Sequence, residues 1–387
     1  MKIAVVHDWL ISRGGAENTL GQILKLFPEA DLFSLLDFIP AGERGFLFNK
    51  KAKTSFLQKL PFADKKYRNY LPLMPFAVKQ FDLSSYDLII SSSHAAAKGV
   101  TAKPGQLHLC YCYTPFRYAW DLREQYLKET GLGSGVKGLA ARALLSWVRI
   151  WDAGNSRRVD HFATLSEYIR DRIKRAYHRD SEVIYPPVAT DFFTLNGKKE
   201  DFYVTVSRLV PYKKVDLIVK AFTAMPGRRL VVVGIGPDLA KVKQAAGSNV
   251  EFRLHPDNKA LAECLQKARA FVFAAEEDFG IAPLEAQACG TPVIAYGKGG
   301  LLETVRGKFS DERITGEERL TGIFFRDQTE ASLIDAVNKF EKLGFDPAAC
   351  RANSLRFSEE NFRTKFKIFV EQKLSLADKA AQIGQRR

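Results

Sequence analysis

Short apolar segments of strand length alternate with longer segments of helical spacing along most of the chain. The strand-like runs of the first half are "KIAVVH", "ADLFSLL", "YDLIISSS", "QLHLCYCYT" and "HFATLS". Between them, stretches such as "TLGQILKLF" and "EYIRDRIKRAY" repeat apolar residues at helical intervals. Because parallel strands need crossover connections, this alternation predicts a parallel sheet covered by helices on both faces.

The alternation stops once and then resumes. Pro186-Pro187 and a polar Gly-Lys-Lys-Glu stretch interrupt it, and strand-like runs return with "FYVTVSRL", "RLVVVGIG", "VEFRL", "RAFVFAA" and "PVIAY". We therefore predict an α/β chain of two doubly wound, Rossmann-like domains, residues 1–192 and 193–359, facing each other across a cleft. The C-terminal helical stretch, about residues 360–387, is expected to pack back on the first domain.

Length and composition agree with this organisation. The chain has 387 residues, of which 46% are hydrophobic, enough for two cores. No run approaches the roughly 18 apolar residues of a membrane span, and "MKIAVVHDWL" is expected to be a buried strand rather than a signal peptide. The five scattered cysteines fit buried, reduced thiols of a cytoplasmic protein better than a zinc site.

The formal net charge of +14 favours an anionic partner. Residues 50–79 hold eight Lys or Arg residues against Asp64 alone, interleaved with aromatic residues and leucines. This mixture is typical of a peripheral contact with an acidic membrane surface, and also of surface helices whose lysines are only solvated.

The second half carries a cationic pair and an acidic pair at predicted strand ends. Arg208 and Lys213 flank one turn after "FYVTV", a spacing suited to gripping a diphosphate. Glu277 and Glu285 lie on either side of a predicted helix start, where they could accept hydrogen bonds from sugar and ribose hydroxyls. The backbone of Phe279, Gly280, Ile281 and Ala282 would offer N–H groups to phosphate oxygens.

The first half offers weaker candidates at its strand ends. Gly14 and Gly15 follow the first strand, where glycines allow close approach to a phosphate or simply form a turn. They match neither G-x-G-x-x-G nor the P-loop pattern. His94 closes "YDLIISSS" and is either a ligand contact or a structural histidine.

The stretch "EDFGIAPLEAQACGTPVIA" resembles the E-x7-E signature of retaining GT-B glycosyltransferases of family 4, and "VSRLVPYKKVDLIVKAF", "VVVGIGPD" and "FSEENF" are also similar to that family. The resemblance implies that Arg208 and Lys213 neutralise the leaving diphosphate, that Glu277 holds sugar hydroxyls and that Glu285 holds the ribose. It further implies that Gly14 and Gly15 approach the diphosphate and that His94 contacts the transferred sugar. Members of this fold usually need no metal or other cofactor, and no D-x-D motif occurs.

A second stretch, "CYCYTPFRYAWDLREQYL", resembles part of bacterial mannosyltransferases that use GDP-mannose in O-antigen or exopolysaccharide synthesis, with Tyr113 replacing their usual histidine. The resemblance favours mannosyl transfer from GDP-mannose to a lipid-diphosphate-linked or oligosaccharide acceptor at the inner membrane face. The candidate acceptor or sugar wall comprises Tyr111, Tyr113, Arg117, Tyr118, Trp120 and Asp121, although aromatic residues at this spacing also fit an ordinary core.

Several alternatives stay open. A family member using UDP-glucose, UDP-galactose or UDP-GlcNAc would carry the same motifs. A phosphorylase or epimerase of the same fold would need features that the sequence does not display, and an inactive homologue is disfavoured because every motif position is filled. The charge also fits an anion- or nucleic-acid-binding protein, but no nucleic-acid recognition motif is present, so nucleic acid is not expected as a partner. The oligomeric state is left open.

Overall fold

The computed structural model describes residues 1–117, 119–120, 123, 127, 134–314 and 319–384. The chain divides into two compact units, residues 1–187 with 362–387, and residues 188–361. The boundaries expected near residues 192 and 360 lie a few residues from these.

The first unit is built on a parallel sheet. Its described strands are β1 (Ile3–His7), β2 (Asp31–Ser34), β3 (Lys53–Thr54), β4 (Leu88–Ser93), β5 (Leu107–Cys112), β6 (His161–Thr164) and β7 (Ser181–Val183). They lie in the order β3-β2-β1-β4-β5-β6-β7. The strand order reverses between β1 and β4, the position at which open α/β sheets bind ligands.

Helices cover both faces of this sheet. The α-helices of the first unit are Gly15–Leu26, Ala63–Lys66, Met74–Val78, Gly135–Ser156, Glu167–Tyr177 and, from Phe362 onward, Glu359–Gly384. Short 3-10 helices cover Ala41–Leu47, Phe56–Lys59, Tyr67–Leu73 and Ala97–Gly99. On one face Ala4 and Val6 of β1 pack in one core cluster with Met74 and Val148. Elsewhere in the unit, the buried Tyr111 ring packs against Phe362 of the C-terminal helix.

The second unit repeats the architecture. Its described strands are β8 (Tyr203–Val206), β9 (Leu230–Val233), β10 (Val250–Arg253), β11 (Ala270–Phe273), β12 (Val293–Tyr296), β13 (Gly307–Phe309) and β14 (Gly322–Phe325), in the order β10-β9-β8-β11-β12-β14-β13 and all parallel. Its α-helices are Val215–Thr223, Leu239–Gln244, Asn258–Lys267, Ile281–Ala288, Leu301–Thr304, Glu330–Phe340 and Pro347–Leu355, and a 3-10 helix covers Pro211–Lys213. The strand order reverses between β8 and β11.

Within the described part of the chain, every helix is too short or too polar to cross a bilayer. All five cysteines are buried and none is in a disulfide.

Candidate functional site

Four loops meet at the carboxyl edge of the second unit's sheet. The loop after β8 bonds to the loop after β9, because Leu209 N donates to Ile235 O (2.9 Å) and Asp238 N donates to Leu209 O (3.1 Å). The loops after β11 and β12 are joined by the hydrogen bond from Gly300 N to Glu277 O (2.8 Å). These loops follow four strands, two on each side of the topological reversal, which is the usual ligand position in such sheets.

Gly299 lets the loop after β12 approach the loop that carries Glu277. Its φ is +71°, and a Cβ atom there would collide with the carbonyl oxygen of Glu277. Any other residue would therefore combine a strained backbone with a clash. This close contact fixes where the Glu277 side chain begins.

Lys213 and Glu277 form an ion pair at this edge. Lys213 ends the 3-10 helix Pro211–Lys213, and its Nζ contacts Glu277 Oε1. The two side chains are only 20% and 18% exposed, and the ammonium also lies 5.7 Å from the centre of the Phe273 ring. The structure thus brings together one cation and one carboxylate that the sequence places 64 residues apart.

Arg208 lies on the same loop as Lys213 but differs in its surroundings. Its backbone is linked to Lys213 through Val210, whose N–H donates to Arg208 O and whose carbonyl accepts from Lys213 N. The Arg208 side chain is exposed and has no ion-pair partner among the described residues. A guanidinium in this state is available to bind an anion.

The helix Ile281–Ala288 begins at Gly280, whose φ is +99°. A Cβ atom there would collide with Leu301, so this turn requires glycine. The Phe279 ring is buried against Phe357, with ring centroids 5.5 Å apart, so this side chain anchors the loop and only the backbone of Phe279 is left for the predicted role. The backbone of Ile281 and Ala282 opens the helix, as predicted from the sequence.

Glu285 follows at the start of the second turn of this helix. Its residue is partly buried, and among the described residues its carboxyl group has no hydrogen-bond or ion-pair partner. Burial alone raises its pKa to about 7. An acid left unsatisfied at a ligand edge is a candidate acceptor for hydroxyl groups of a ligand.

In the first unit, Asp8 is the centre of a polar cluster. It directly follows β1 and is fully buried, and it accepts hydrogen bonds from the backbone N–H groups of His94 (2.6 Å), Ala95 (2.9 Å) and Ala97 (2.6 Å). Its carboxylate also lies 3.2 Å from His94 Nδ1. Asp8 therefore fixes the loop after β4 and orients the His94 ring.

A second chain of polar contacts runs beside His94. His7 Nδ1 lies 3.0 Å from Ser92 Oγ, which lies 2.9 Å from the Tyr113 hydroxyl. Tyr113 in turn donates to the carbonyl oxygen of Ala16 (3.0 Å), and His7 Nε2 lies 3.7 Å from Glu17. These contacts join β1, β4, the segment after β5 and the first helix at one edge.

Burial and charge act in opposite directions on these groups. Burial opposes ionisation of Asp8, but the neighbouring His94 and His7 and the backbone N–H donors outweigh it and lower the Asp8 pKa. Glu17 shows the same balance, with His7 as the main opposing group, and its pKa is also lowered. Burial lowers the pKa of His94, although Asp8 acts in the opposite sense.

Gly14 and Gly15 lie at the first turn of the helix Gly15–Leu26. Gly14 is its N-cap in an extended conformation, and its carbonyl accepts from Asn18 N (2.9 Å). A Cβ atom at Gly14 would lie 3.0 Å from a carboxylate oxygen of Glu17, the residue that contacts His7. The glycine pair is thus part of the same polar edge as His94.

The predicted aromatic wall after β5 is largely interior. Tyr111 is fully buried and donates to Ile184 O (2.7 Å), so it belongs to the core rather than to a ligand-facing wall. Trp120 Nε1 donates to the buried Asp152 (2.9 Å), while Tyr113 and the partly buried Arg117 lie nearer the polar edge. Tyr118 and Asp121 lie outside the described residues.

Comparison with known proteins places the second unit in a family. Residues 189–356 match the family model described as "Glycosyl transferases group 1". The chain carries a group 1 glycosyltransferase domain. The motifs with Arg208, Lys213, Glu277 and Glu285 all lie inside this domain.

Curated relatives match part of the chain. D-inositol 3-phosphate glycosyltransferases of Mycobacterium avium and Mycobacteroides abscessus are 31% and 33% identical, over 35% and 31% of this chain. The matches span 38% and 32% of those relatives' own lengths, so the chain covers about a third of each. They therefore bear on part of the chain and not on the whole protein.

Solved structures match nearly the whole chain. Anabaena HepE in complex with UDP and glucose gives a TM-score of 0.67 at 18% identity, covering 96% of this chain and 99% of that one. Sucrose-phosphate synthase of Thermosynechococcus elongatus gives 0.69 at 17% identity, covering 97% and 100%. The predicted GT-B fold, two Rossmann-like parallel-sheet domains, is confirmed.

The sequence analysis missed several polar residues at the carboxyl edge of the first unit's sheet. It did not select His7, Asp8 or Glu17, although "HDW" follows an apolar strand directly, which is a signal for a polar strand end. Among the described residues, no group of three or more His, Cys, Asp or Glu side chains is arranged to hold a metal ion. Donor binding without a metal stays a prediction.

Proposed function

We propose that this protein is a retaining glycosyltransferase that moves a hexosyl group from a nucleoside diphosphate sugar to an acceptor hydroxyl. The observation that carries the proposal is the Lys213–Glu277 pair beside Arg208 inside the group 1 domain. Fixed cations next to a carboxylate suit a ligand that presents a diphosphate and sugar hydroxyls together.

In this proposal each charged group has its own task. Arg208 and Lys213 neutralise the diphosphate as the anomeric bond breaks, which is the electrostatic contribution that most strongly lowers such barriers. Glu277 accepts hydrogen bonds from the sugar, and Glu285 accepts them from the ribose. The acceptor hydroxyl attacks from the face that the diphosphate leaves, and a diphosphate oxygen takes its proton, so no side chain of the protein has to act as a covalent nucleophile.

The proposed donor is GDP-mannose, on the resemblance of residues 110–127 to mannosyltransferases. Of the residues that carry this resemblance, Tyr111 is fully buried in the core, and Trp120 is partly buried with its Nε1 donating to Asp152, so neither supports the choice of donor. A UDP-sugar is the second candidate donor, since the HepE structures hold UDP with glucose or UDP-glucose.

The proposed acceptor is a lipid-linked or oligosaccharide acceptor of bacterial surface polysaccharide synthesis, reached at the cytoplasmic membrane face. A lipopolysaccharide outer core galactosyltransferase, WaaB, shares the fold, with a TM-score of 0.64 at 16% identity. That likeness concerns the fold, and the net charge of +14 supplies the independent reason to expect an acidic surface nearby.

The test is calorimetric titration with GDP-mannose, UDP-glucose, UDP-galactose and UDP-GlcNAc, followed by product analysis with the donor that binds best. Lys213→Met is expected to lower the transfer rate by about 10²–10³. Lys220→Met, at an exposed lysine of the same unit, is expected to leave the rate unchanged. Anomeric configuration of the product tests the retaining mechanism.

Three outcomes decide between the candidates. Preference for a UDP-sugar would refute the mannosyl assignment and leave the transferase proposal standing. Equal turnover by Lys213→Met and the native protein would refute the clamp. Failure to bind any of the four donors, together with salt-sensitive binding to nucleic acid, would favour a binding protein without enzymatic activity.

A further inference from the structure

The helix Gly135–Ser156 is apolar on its outer face as well as its inner face. Its inner face buries Leu145, Val148 and the charged Asp152. Its outer face presents a stripe of exposed apolar residues at helical spacing: Val136, Leu139, Ala140, Ala143, Trp147 and Ile150. Val136, Leu139 and Ile150 are 86%, 71% and 73% exposed. A surface helix of a soluble protein would ordinarily carry polar residues there.

This stripe continues onto a neighbouring segment. The rings of Trp147 and Phe76 stack with centroids 6.0 Å apart, and Phe76 is itself 60% exposed. Leu73, three residues before Phe76, is 37% exposed. The helix and the segment both pack closely around Gly99. A Cβ atom at Gly99 would collide with the Trp151 ring of the helix and would lie 3.3 Å from Val78 of the segment. The apolar surface therefore spans two elements with a fixed mutual position.

Cations accompany this apolar surface. The segment contributes exposed, positively charged residues against the single acid Asp64: Lys59, Lys65, Lys66, Arg68 and Lys79. The Lys66 ammonium lies 5.4 Å from the ring of Phe62, which is 67% exposed. The helix adds the exposed Lys137 and Arg149. Lys53 of β3 does not belong to this group, because it pairs with Asp31 of β2.

Exposed Trp, Phe and Ile side chains next to Lys and Arg match the chemistry of the headgroup region of an anionic bilayer. A nucleic acid would bind the cations but would leave the aliphatic stripe exposed to water. A protein partner would need its own acidic and apolar groups to match this surface, and no observation on this chain points to such a partner. The combination of charge and aliphatic exposure therefore favours lipid.

We propose that the outer face of helix Gly135–Ser156, together with the segment 59–79, is a docking surface for a membrane that contains anionic lipids. The helix lies along the headgroup region with Trp147 and Ile150 inserted, and the lysines of the segment contact lipid phosphates. The proposal rests on the proposed function for its purpose, delivery of the enzyme to a lipid-linked acceptor, but vesicle binding itself requires no transfer reaction.

The test is co-sedimentation of the full chain with vesicles of phosphatidylcholine alone and with vesicles containing about one third phosphatidylglycerol. The native protein is expected to bind the anionic vesicles and to be released at about 0.5 M salt. The triple variant Lys59→Gln, Lys65→Gln, Lys66→Gln is expected to bind about 100-fold more weakly, at roughly fivefold per cation. The double variant Trp147→Ser, Ile150→Ser is expected to lose about tenfold or more.

The control is Ile368→Ser with Leu376→Ser on the C-terminal helix, since these residues are likewise exposed, at 47% and 53%. The control should bind as the native protein does, and thermal unfolding should show all variants folded. The proposal would be overturned if the Trp147 and Ile150 variant bound anionic vesicles as tightly as the native protein, or if the control variant lost as much affinity as that variant. It would also be overturned if the native protein bound neutral and anionic vesicles equally. The proposal would also be overturned if the native protein formed dimers and did not bind vesicles, and if the Trp147 and Ile150 variant were monomeric. The stripe would then be an interface between two copies of the chain.

Transfer to a water-soluble acceptor separates the two proposals. The Trp147 and Ile150 variant should keep that activity, because neither residue belongs to the candidate site. Vesicle binding by a protein without transfer activity would refute the proposed function and support the docking surface. Transfer activity in a protein that does not bind vesicles would support the proposed function and refute the docking surface.

Discussion

Glu285→Gln tests the burial of the unpartnered acid in the group 1 domain. Burial raises the pKa of Glu285 from 4.5 to about 7. The folded chain therefore keeps a proton at this group which the unfolded chain releases above pH 4.5. The stability that Glu285 contributes is fully present below pH 4.5, the pKa of the unfolded state. It falls as the pH rises towards 7, because the unfolded state then binds fewer protons than the folded state.

The size of the effect follows from the two pKa values. The difference between 4.5 and about 7 corresponds to roughly 3 kcal/mol, lost progressively across that pH range. Glutamine keeps the shape of the side chain but cannot ionise. The variant should therefore gain about 3 kcal/mol relative to the native protein between pH 4.5 and pH 8.

Thermal unfolding measured across this range provides the assay. For a unit of this size, roughly 2–4 °C per kcal/mol means that the difference in Tm between variant and native protein should widen by about 6–12 °C. Glu263→Gln, an exposed acid on a neighbouring helix, should run parallel to the native protein at every pH. Parallel curves for Glu285→Gln as well would show that the carboxyl group is solvated and refute the reasoning.

The same proton reports on donor binding. If ribose hydroxyls donate to Glu285 as proposed, they favour its ionised form, so nucleotide binding should lower the pKa of Glu285 and release a proton near pH 6. Calorimetry in buffers of different ionisation enthalpy measures that release. Nucleotide affinity should rise between pH 5.5 and 7.5 in the native protein by up to about tenfold per pH unit below 7, and stay flat in Glu285→Gln. Binding without proton release would place the ribose elsewhere.

Three further predictions concern the charged and glycine positions. Lys213→Met is expected to lower kcat by about 10²–10³ with the Tm retained, measured with the preferred donor; near-normal turnover would contradict the clamp. Lys98→Met is expected to destabilise the fold by about 3–5 kcal/mol in denaturant unfolding, since the fully buried Asp152 would lose its counter-charge at 2.6 Å. Gly299→Ala is expected to weaken nucleotide binding at least tenfold in calorimetry, whereas Gly227→Ala, where a Cβ atom meets nothing within 4 Å, should bind normally.

Much of the fold could be predicted because parallel strands buried on both faces leave a strong signal. Every strand that the sequence analysis assigned exists, including the N-terminal strand β1. Three of the missed strands, β3, β7 and β13, lie at sheet edges and have two or three residues, too few to show a pattern. The interior strand β14, "GIFF", was missed because four apolar residues do not distinguish a strand from a turn of buried helix.

The candidate site was predictable where a short motif holds its own geometry. Gly280 and the helix that follows it are local, and the sequence places them correctly. The role of Asp8 depends on the pairing of β1 with β4. Val5 of β1 pairs with Ile90 of β4, 85 residues further along the chain, so sequence spacing alone does not reveal this role. The aromatic residues after β5 failed as predictors because a Tyr or Trp at a strand end has the same sequence signature whether it faces a ligand or, like Tyr111, the core.

In the proposed donor site, the partly buried and unpartnered Glu285 would affect how charge builds up on binding. Lys213 is paired with Glu277 before a donor arrives, so Arg208 and the start of the helix Ile281–Ala288 would supply most of the positive field that an arriving diphosphate first meets. An ionised Glu285 would cancel that field before the ribose hydroxyls arrive. With a pKa of about 7, Glu285 is about half protonated at neutral pH and would become fully ionised when hydroxyl donors bind to it. On the proposed function, the diphosphate would therefore bind first, and the second carboxylate would ionise fully only with the nucleoside in place.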